Sequence, residues 1–332
     1  MLSHLGNRGL IVGPGTFRII LALMVFVSHT TRLNIGVLGV MLFFMLSGYW
    51  VTSIWRERFS GHNVLWFYAS RYFRIIPVYL LVAIPAAIAL DRPLLPNILL
   101  FGIATNNEAD ALTISWSLDI ELQFYLILPL LLTAFSRVSK VMVAASIGAA
   151  ACAWALRSEI ELVTVFQYLP AFLIGAYFYD NRVHVSKRAA HISAALFVLV
   201  SAVLAVLPAT APFLLKTTIL PEGTAVFSMV WMLFLVPYVM ASLEIQSTPL
   251  DRHLGNISYP FYLVHTIVLY AMTMLLGGME RKVAALITTS ALALMIYVVA
   301  DRPIEKLRNR YLSPGNKAKA RSVPDPALSR LP

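Results

Sequence analysis

The apolar residues of this chain come in long runs, and those runs constrain what it can fold into more than any other feature. Ten can be marked, near residues 14–33, 36–55, 75–90, 117–135, 141–156, 162–179, 191–208, 223–242, 257–276 and 282–300. A transmembrane helix needs roughly 20 mostly apolar residues, so ten of them use roughly 200 positions and leave only short loops. Charged residues make up 13% of the chain, about half of what a soluble domain uses to cover its surface. A soluble enzyme and a disordered chain are both excluded. The expected fold is all-α, a polytopic membrane protein of about ten transmembrane helices. The stretch 94–104 is too short to span and is expected to lie at the interface. No internal repeat of the transporter kind is visible, and Met1 to Thr16 lacks the pattern of a removable signal peptide.

Basic residues accumulate on the cytoplasmic side of membrane proteins. With the N-terminus inside, 20 of the 26 Lys and Arg fall on inner segments and 6 on outer ones. Leaving out those after Ala300 still gives 12 against 6. Both termini are therefore expected in the cytoplasm, with residues 1–304 as the membrane domain and 305–332 as a basic, solvated tail in reach of anionic lipid. The same asymmetry accounts for the net charge of +10 and removes nucleic acid as an expected partner. Cys152 is the single cysteine. It excludes disulfides and thiolate metal sites, no metal is expected, and a buried structural thiol is its expected role.

An ionisable side chain within a bilayer is costly, so it usually faces the protein interior and often has a function. Four constellations meet that description. Arg18 and His29 are eleven residues apart in the first run, about three turns, so they share a face at about 16 Å axial separation. Histidine accepts a proton near neutral pH, and a buried, neutral imidazole suits a general base; a packed histidine with a snorkelling arginine serves the pattern equally well. Arg71 and Arg74, at i and i+3, present two guanidinium forks that match phosphate oxygens, or else anchor the inner boundary. Pro77 is expected to mark the start of the next span. Asp119 and Glu121 enter the fourth run two residues apart, about 200° around a helix, so they cannot share a proton. Glu121 lies on the face of Tyr125, Asp119 on that of Gln123, and Trp116 precedes them as a possible interface anchor. Ser258, Tyr262 and His265 share one side of the ninth run, as a helix–helix contact or as part of a site.

These blocks together resemble the acyltransferase-3 family of integral membrane acyltransferases. The resemblance is carried by Arg18-x10-His29 and by Gly39 to Trp50 with Phe43, Phe44, Ser47 and Gly48. It continues in Phe67-Tyr68-x-x-Arg71-x-x-Arg74-x-x-Pro77, then Trp116-Ser117-Leu118-x-x-Glu121-x-Gln123-Phe124-Tyr125, then Ile257-Ser258-Tyr259-x-x-Tyr262-Leu263-Val264-His265. Their order covers Thr16 to Glu305. The opening departs from the family pattern, since Pro14 to Ile19 lacks the Asp of the usual Leu-Asp-Gly-Leu-Arg-Gly. Met41 stands for an Asp, Leu122 for a second Glu and Asp119 for a small residue, and no soluble transferase domain follows the tenth run.

The resemblance implies a bacterial inner-membrane (plasma-membrane) O-acyltransferase. It would move an acyl group, commonly acetyl, from cytoplasmic acyl-CoA to a hydroxyl of an extracytoplasmic polysaccharide, oligosaccharide or glycolipid. Acyl-CoA is then a co-substrate, with no tightly bound cofactor. His29 is implied as the catalytic base or as the bearer of a transient acyl group, with Arg18 its partner, and Glu121 as the acidic position that orients the imidazole or the acceptor hydroxyl. Arg71, Arg74 and Arg18 are implied on the donor side, with Trp116, Asp119, Tyr125, Ser258 and His265 towards the acceptor. A transporter or flippase of a lipid-linked sugar shares the span count and the basic inner face. It gives no reason for His29 over Arg18, and the missing repeat counts against it.

Overall fold

A backbone in hydrocarbon must satisfy its own N–H and C=O groups, which is why each apolar run becomes helix. The computed structural model describes residues 11–61, 63–216 and 221–312. Along them run α1 (Pro14–Thr30), α2 (Gly36–Ile54), α3 (Val64–Ala89), α4 (Leu94–Leu99), α5 (Ser115–Ala134), α6 (Lys140–Ile160) and α7 (Leu169–Asp180). There follow α8 (Lys187–Val206), α9 (Ala211–Leu214), α10 (Pro221–Leu233), α11 (Val236–Leu243), α12 (Pro249–Leu275), α13 (Gly278–Ile296) and α14 (Arg302–Tyr311). No strand occurs among the described residues.

Seven helical segments are long and apolar enough to cross a membrane, and an eighth if α10 and α11, bent by 61°, form one broken span. The protein is thus a multi-pass, all-helical membrane protein. The remaining expected runs are helical but short. α1 has 17 residues. The run at 162–179 opens with a capped 3-10 turn around Thr164 and Gln167, leaving 12 residues to α7. Pro237 near the start of α11 lacks the N–H that would continue α10. The boundary expected at Pro77 is absent, because α3 continues through Pro77 and Pro85; membrane helices tolerate proline where neighbours re-satisfy the freed backbone groups. Cys152 is exposed rather than buried, since α6 packs little of its surface against the bundle.

Contacts sort the helix ends into two sets. At one, here called the arginine end, Asp251 of α12 accepts from the backbone N–H of Gly15 and Thr16 at 3.1 and 2.8 Å. There too Arg56 pairs with Asp180 at 2.9 Å and Arg74 with Asp301 at 3.0 Å. At the opposite, loop end, Asn34 donates to Phe213 O, Thr105 to Val163 O and Thr266 to Leu112 O. α1, α3 and α12 run from the arginine end to the loop end, and α2, α5 and α7 run back. The parallel pair α2 and α7 touches backbone to backbone: a Cβ on Gly48 would meet Phe172 O at 1.9 Å, and one on Gly175 would meet Met45 O at 1.9 Å. Only glycine permits that approach. It lets Phe172 stack between Phe44 and Phe124, with ring centroids 4.6 and 4.1 Å apart. The segment expected to begin a solvated tail at 305 is instead helical to Tyr311; residues 313–332 lie outside the described residues.

Candidate functional site

Packing α1, α2, α3, α5, α12 and α14 side by side leaves a cavity of about 380 Å³. α2 lines it from Val40 to Ile54 and again at Arg58. At 1.5 Å per residue the first stretch alone is about 21 Å of wall, so the cavity is a shaft along the bundle. Its mouth lies at the arginine end, where the lining includes the exposed Arg58 and Asn309. Its blind end is at Ser117, near the start of α5, and Tyr262, whose hydroxyls are 2.8 Å apart. Both hydroxyls also reach Ile114 O, Ser117 Oγ donating at 3.0 Å and Tyr262 OH at 3.4 Å.

Five arginines and two glutamates line the shaft. Arg74 is held by Asp301 and lies 5.4 Å over the Tyr259 ring. Arg308 reaches Glu305 at 3.4 Å. The others lack carboxylate partners among the described residues. Arg71 is buried, Nη2 donates to Ser70 Oγ at 3.3 Å, and Nε has no partner. Arg18 lines the wall and makes no hydrogen bond or ion pair among the described residues. Burying a guanidinium without a counterion is expensive, so these side chains have donor capacity left for an anion. Glu121 supplies the only negative charge deep in the wall. Its Oε1 accepts from Ser47 Oγ at 2.7 Å and from Tyr125 OH at 2.6 Å; Oε2 has no partner among the described residues.

Two histidines sit beyond the blind end. The fully buried His265 lies 5.7 Å ring to ring from Tyr262 and 5.2 Å from His29. Its Nδ1 is 2.7 Å from Tyr262 O. A carbonyl only accepts, so Nδ1 carries the proton and Nε2, buried and unpartnered, holds the lone pair. His29, in the last turn of α1, is exposed rather than buried and lies outside the cavity lining. Lys216 donates to the neighbouring carbonyl of Ser28. Arg18 and His29 therefore share a helix but occupy opposite ends of the system. His4 and His62 lie outside the described residues.

The structure places the remaining expected residues unevenly. Tyr125 and Ser258 line the shaft, with Ser258 Oγ donating to Gly255 O. Asp119 and Trp116 do not. Asp119 is fully buried and saturated, accepting from Ala104 N at 3.0 Å and Gln123 Nε2 at 2.9 Å, while Gln123 accepts from Val165 N. Trp116 packs against Phe44 and Tyr168. Beside them Asp110, whose carboxyl burial pushes above the usual range, accepts from Leu112 N and Ser115 N and fixes the start of α5. Sequence reasoning missed Ser47, Arg58, Glu305, Arg308 and Asn309 as lining residues. For the last three no apolar stripe gave a signal, because of the apolar residues of that helix Ile304 packs against the core while Leu307 and Tyr311 are exposed. Among the described residues no group of three or more His, Cys, Asp or Glu side chains is placed to hold a metal.

Comparison with known proteins gives one assignment. Residues 12–300 match the acyltransferase-3 family, described as an acyltransferase domain. No curated protein and no solved structure matched the chain.

Proposed function

Because the chain belongs to the acyltransferase-3 family, we propose that it is an acyl-CoA-dependent O-acyltransferase of the bacterial inner membrane. It moves an acyl group, commonly acetyl, from cytoplasmic acyl-CoA to a hydroxyl of an extracytoplasmic polysaccharide, oligosaccharide or glycolipid. The observation that carries this reading is the shaft itself, with arginines at its mouth and a blind end one ring from the buried member of a histidine pair. A donor with anionic groups at one end and a thin neutral arm at the other fits that shape. The phosphates stay with the arginines while the thioester is carried towards the loop end.

In this reading ten crossings leave both termini in the cytoplasm. Support comes from the basic-residue count and from the alternating directions of α1, α2, α3, α5, α7 and α12. Membrane residues up to 304 hold the chemistry, and α14 packs onto them. His29, exposed at the loop end, meets the acceptor. It takes the acceptor hydroxyl's proton as that oxygen attacks the thioester carbonyl. The C–S bond breaks, and the proton passes to the departing CoA thiolate. Glu121 acts within the shaft, where its free oxygen faces the donor. Of the donor-side arginines, Arg71 and Arg18 are free for an anion, and Arg74 is committed to Asp301.

Purified protein supplied with acetyl-CoA labelled in the acetyl group and with a lipid-linked or polymeric glycan should release CoA and label the glycan. Glycan movement across vesicles without any labelled ester would favour the flippase reading instead. Reporter fusions near residue 61, within 181–186 and after 312 should report the cytoplasm, and those within 101–107 and 207–212 the other side. An outside result near residue 61 would remove both the topology and the donor-site placement.

A further inference from the structure

The segment from residue 302 reads in sequence as a solvated basic tail, but its position in the fold is different. α14 continues from α13 through a π-helical turn at Tyr297–Asp301. It packs Ile304 against the core and sets Glu305, Arg308 and Asn309 into the wall of the shaft. The Arg308 side chain is only 9% exposed, unusual for an arginine. One of its five N–H donors is used, in the 3.4 Å contact with Glu305 on the same helix. Across the mouth Arg58, just past the end of α2, makes no hydrogen bond or ion pair among the described residues. Arg308 lies within electrostatic range of Arg71 and Arg74, and Arg71 within range of Arg58. Like charges gathered from three separate elements, with only Arg74 firmly paired, to Asp301, and Arg308 held by one weak carboxylate contact, are stabilised by a ligand carrying several negative charges.

We propose that α14 is the nucleotide-binding wall of the donor site, where Arg308 and Arg58 take phosphate groups of the 3′-phosphoadenosine diphosphate end of CoA. This rests on the acyl-CoA reading above and adds to it. Arg71 and Arg18, further from the mouth, face the part of the donor nearer its thioester. Glu305 holds Arg308 at the mouth, and the stronger charge-assisted bonds to phosphate displace that contact when the donor enters. The site therefore distinguishes whole CoA from a bare pantetheine thioester, which carries the same acyl group and none of the phosphates.

The test uses the full-length protein and three probes: acetyl-CoA, acetyl-3′-dephospho-CoA and S-acetylpantetheine. Wild-type protein should prefer them in that order. R308Q and R58Q should each raise the KM for acetyl-CoA about tenfold or more, as expected for loss of a charge-assisted hydrogen bond. Neither should alter kcat/KM for S-acetylpantetheine, and R308K should recover part of the loss. Equal losses with all three probes would make Arg308 a structural residue and overturn the inference, as would an unchanged KM for acetyl-CoA in both variants. R58Q keeps the test decisive should R308Q fail to accumulate, because Arg58 is exposed and holds no partner in place. A wild-type protein that transfers from none of the probes would instead overturn the acyl-CoA reading itself.

Discussion

The two sides of α5 carry acids only two residues apart and treat them in opposite ways. On the side facing the loops, Asp119 has both oxygens engaged, is sealed from solvent and ties Ala104 and Gln123 to the helix. On the side facing the shaft, Glu121 has one oxygen crowded by two hydroxyl donors and the other free. A saturated buried acid is scaffolding, because any change of its charge breaks bonds already made. An acid with a free oxygen at a cavity wall has interaction capacity left for a ligand. The same contrast separates Arg74, paired with Asp301, from Arg71, which has no carboxylate, although they stand one turn apart on α3.

The widest test of this division is at His29, which has an open environment and no fixed partner. His29→Gln should insert and accumulate normally yet lose about 10²–10⁴-fold in kcat, the usual cost of removing a positioned base. Retained wild-type turnover would shift the base to the shaft side and make Glu121 the group to examine. The next largest effect belongs to the arginines. Arg74→Ala leaves Asp301 buried and unpaired, and breaking such a pair typically costs about 3–5 kcal/mol, so thermal stability in detergent should fall sharply. Arg71→Ala breaks no ion pair and should leave stability nearly unchanged while raising the KM for acyl-CoA. If the two variants behave alike in both assays, the division by saturation fails. A smaller difference is expected between the acids. Asp119→Asn turns one acceptor into a donor facing existing donors, worth about 1–3 kcal/mol of stability, with turnover per folded molecule kept. Glu121→Gln should keep its folded level and lose turnover. The smallest effect should come from Ser258→Ala, which removes one hydroxyl bond to a carbonyl on its own helix and is expected to cost less than about 1 kcal/mol.

Much of this was legible in the amino-acid order, and the rest has physical reasons for being hidden. The apolar runs give the helices, since a continuous apolar segment of that length satisfies its own backbone in lipid only as a helix. They do not give span lengths, because Pro77 is carried through α3 while Pro237 helps to break α10 from α11. The opposite placing of Asp119 and Glu121 follows from their 200° separation. Which side was the shaft did not follow, because Ser47 and Ala104 come from distant parts of the chain. His29 and His265 stand more than two hundred residues apart, so periodicity within either helix says nothing of their 5.2 Å approach. Arg308 was hidden by composition: a basic stretch near the C-terminus looks like a solvated arm, and only the packing of Ile304 against the core sets it in the wall.

The cap on α1 has a consequence for how the protein is made. The N–H groups at the start of α1 find their acceptor in Asp251, 236 residues downstream of Gly15. At about 5–20 residues per second of synthesis, the first helix waits on the order of ten to fifty seconds for that partner. Through this interval α1 rests on α2 without its final anchor, and Arg18 lacks the wall that α12 contributes with Ser258 and Tyr262. The docking of α12 supplies the cap, closes the blind end of the shaft and brings His265 beside His29 in one event. A chain stalled or cut before that helix can therefore occupy the membrane while holding no closed shaft and no histidine pair, so insertion and assembly of the shaft are separate stages in the life of this protein.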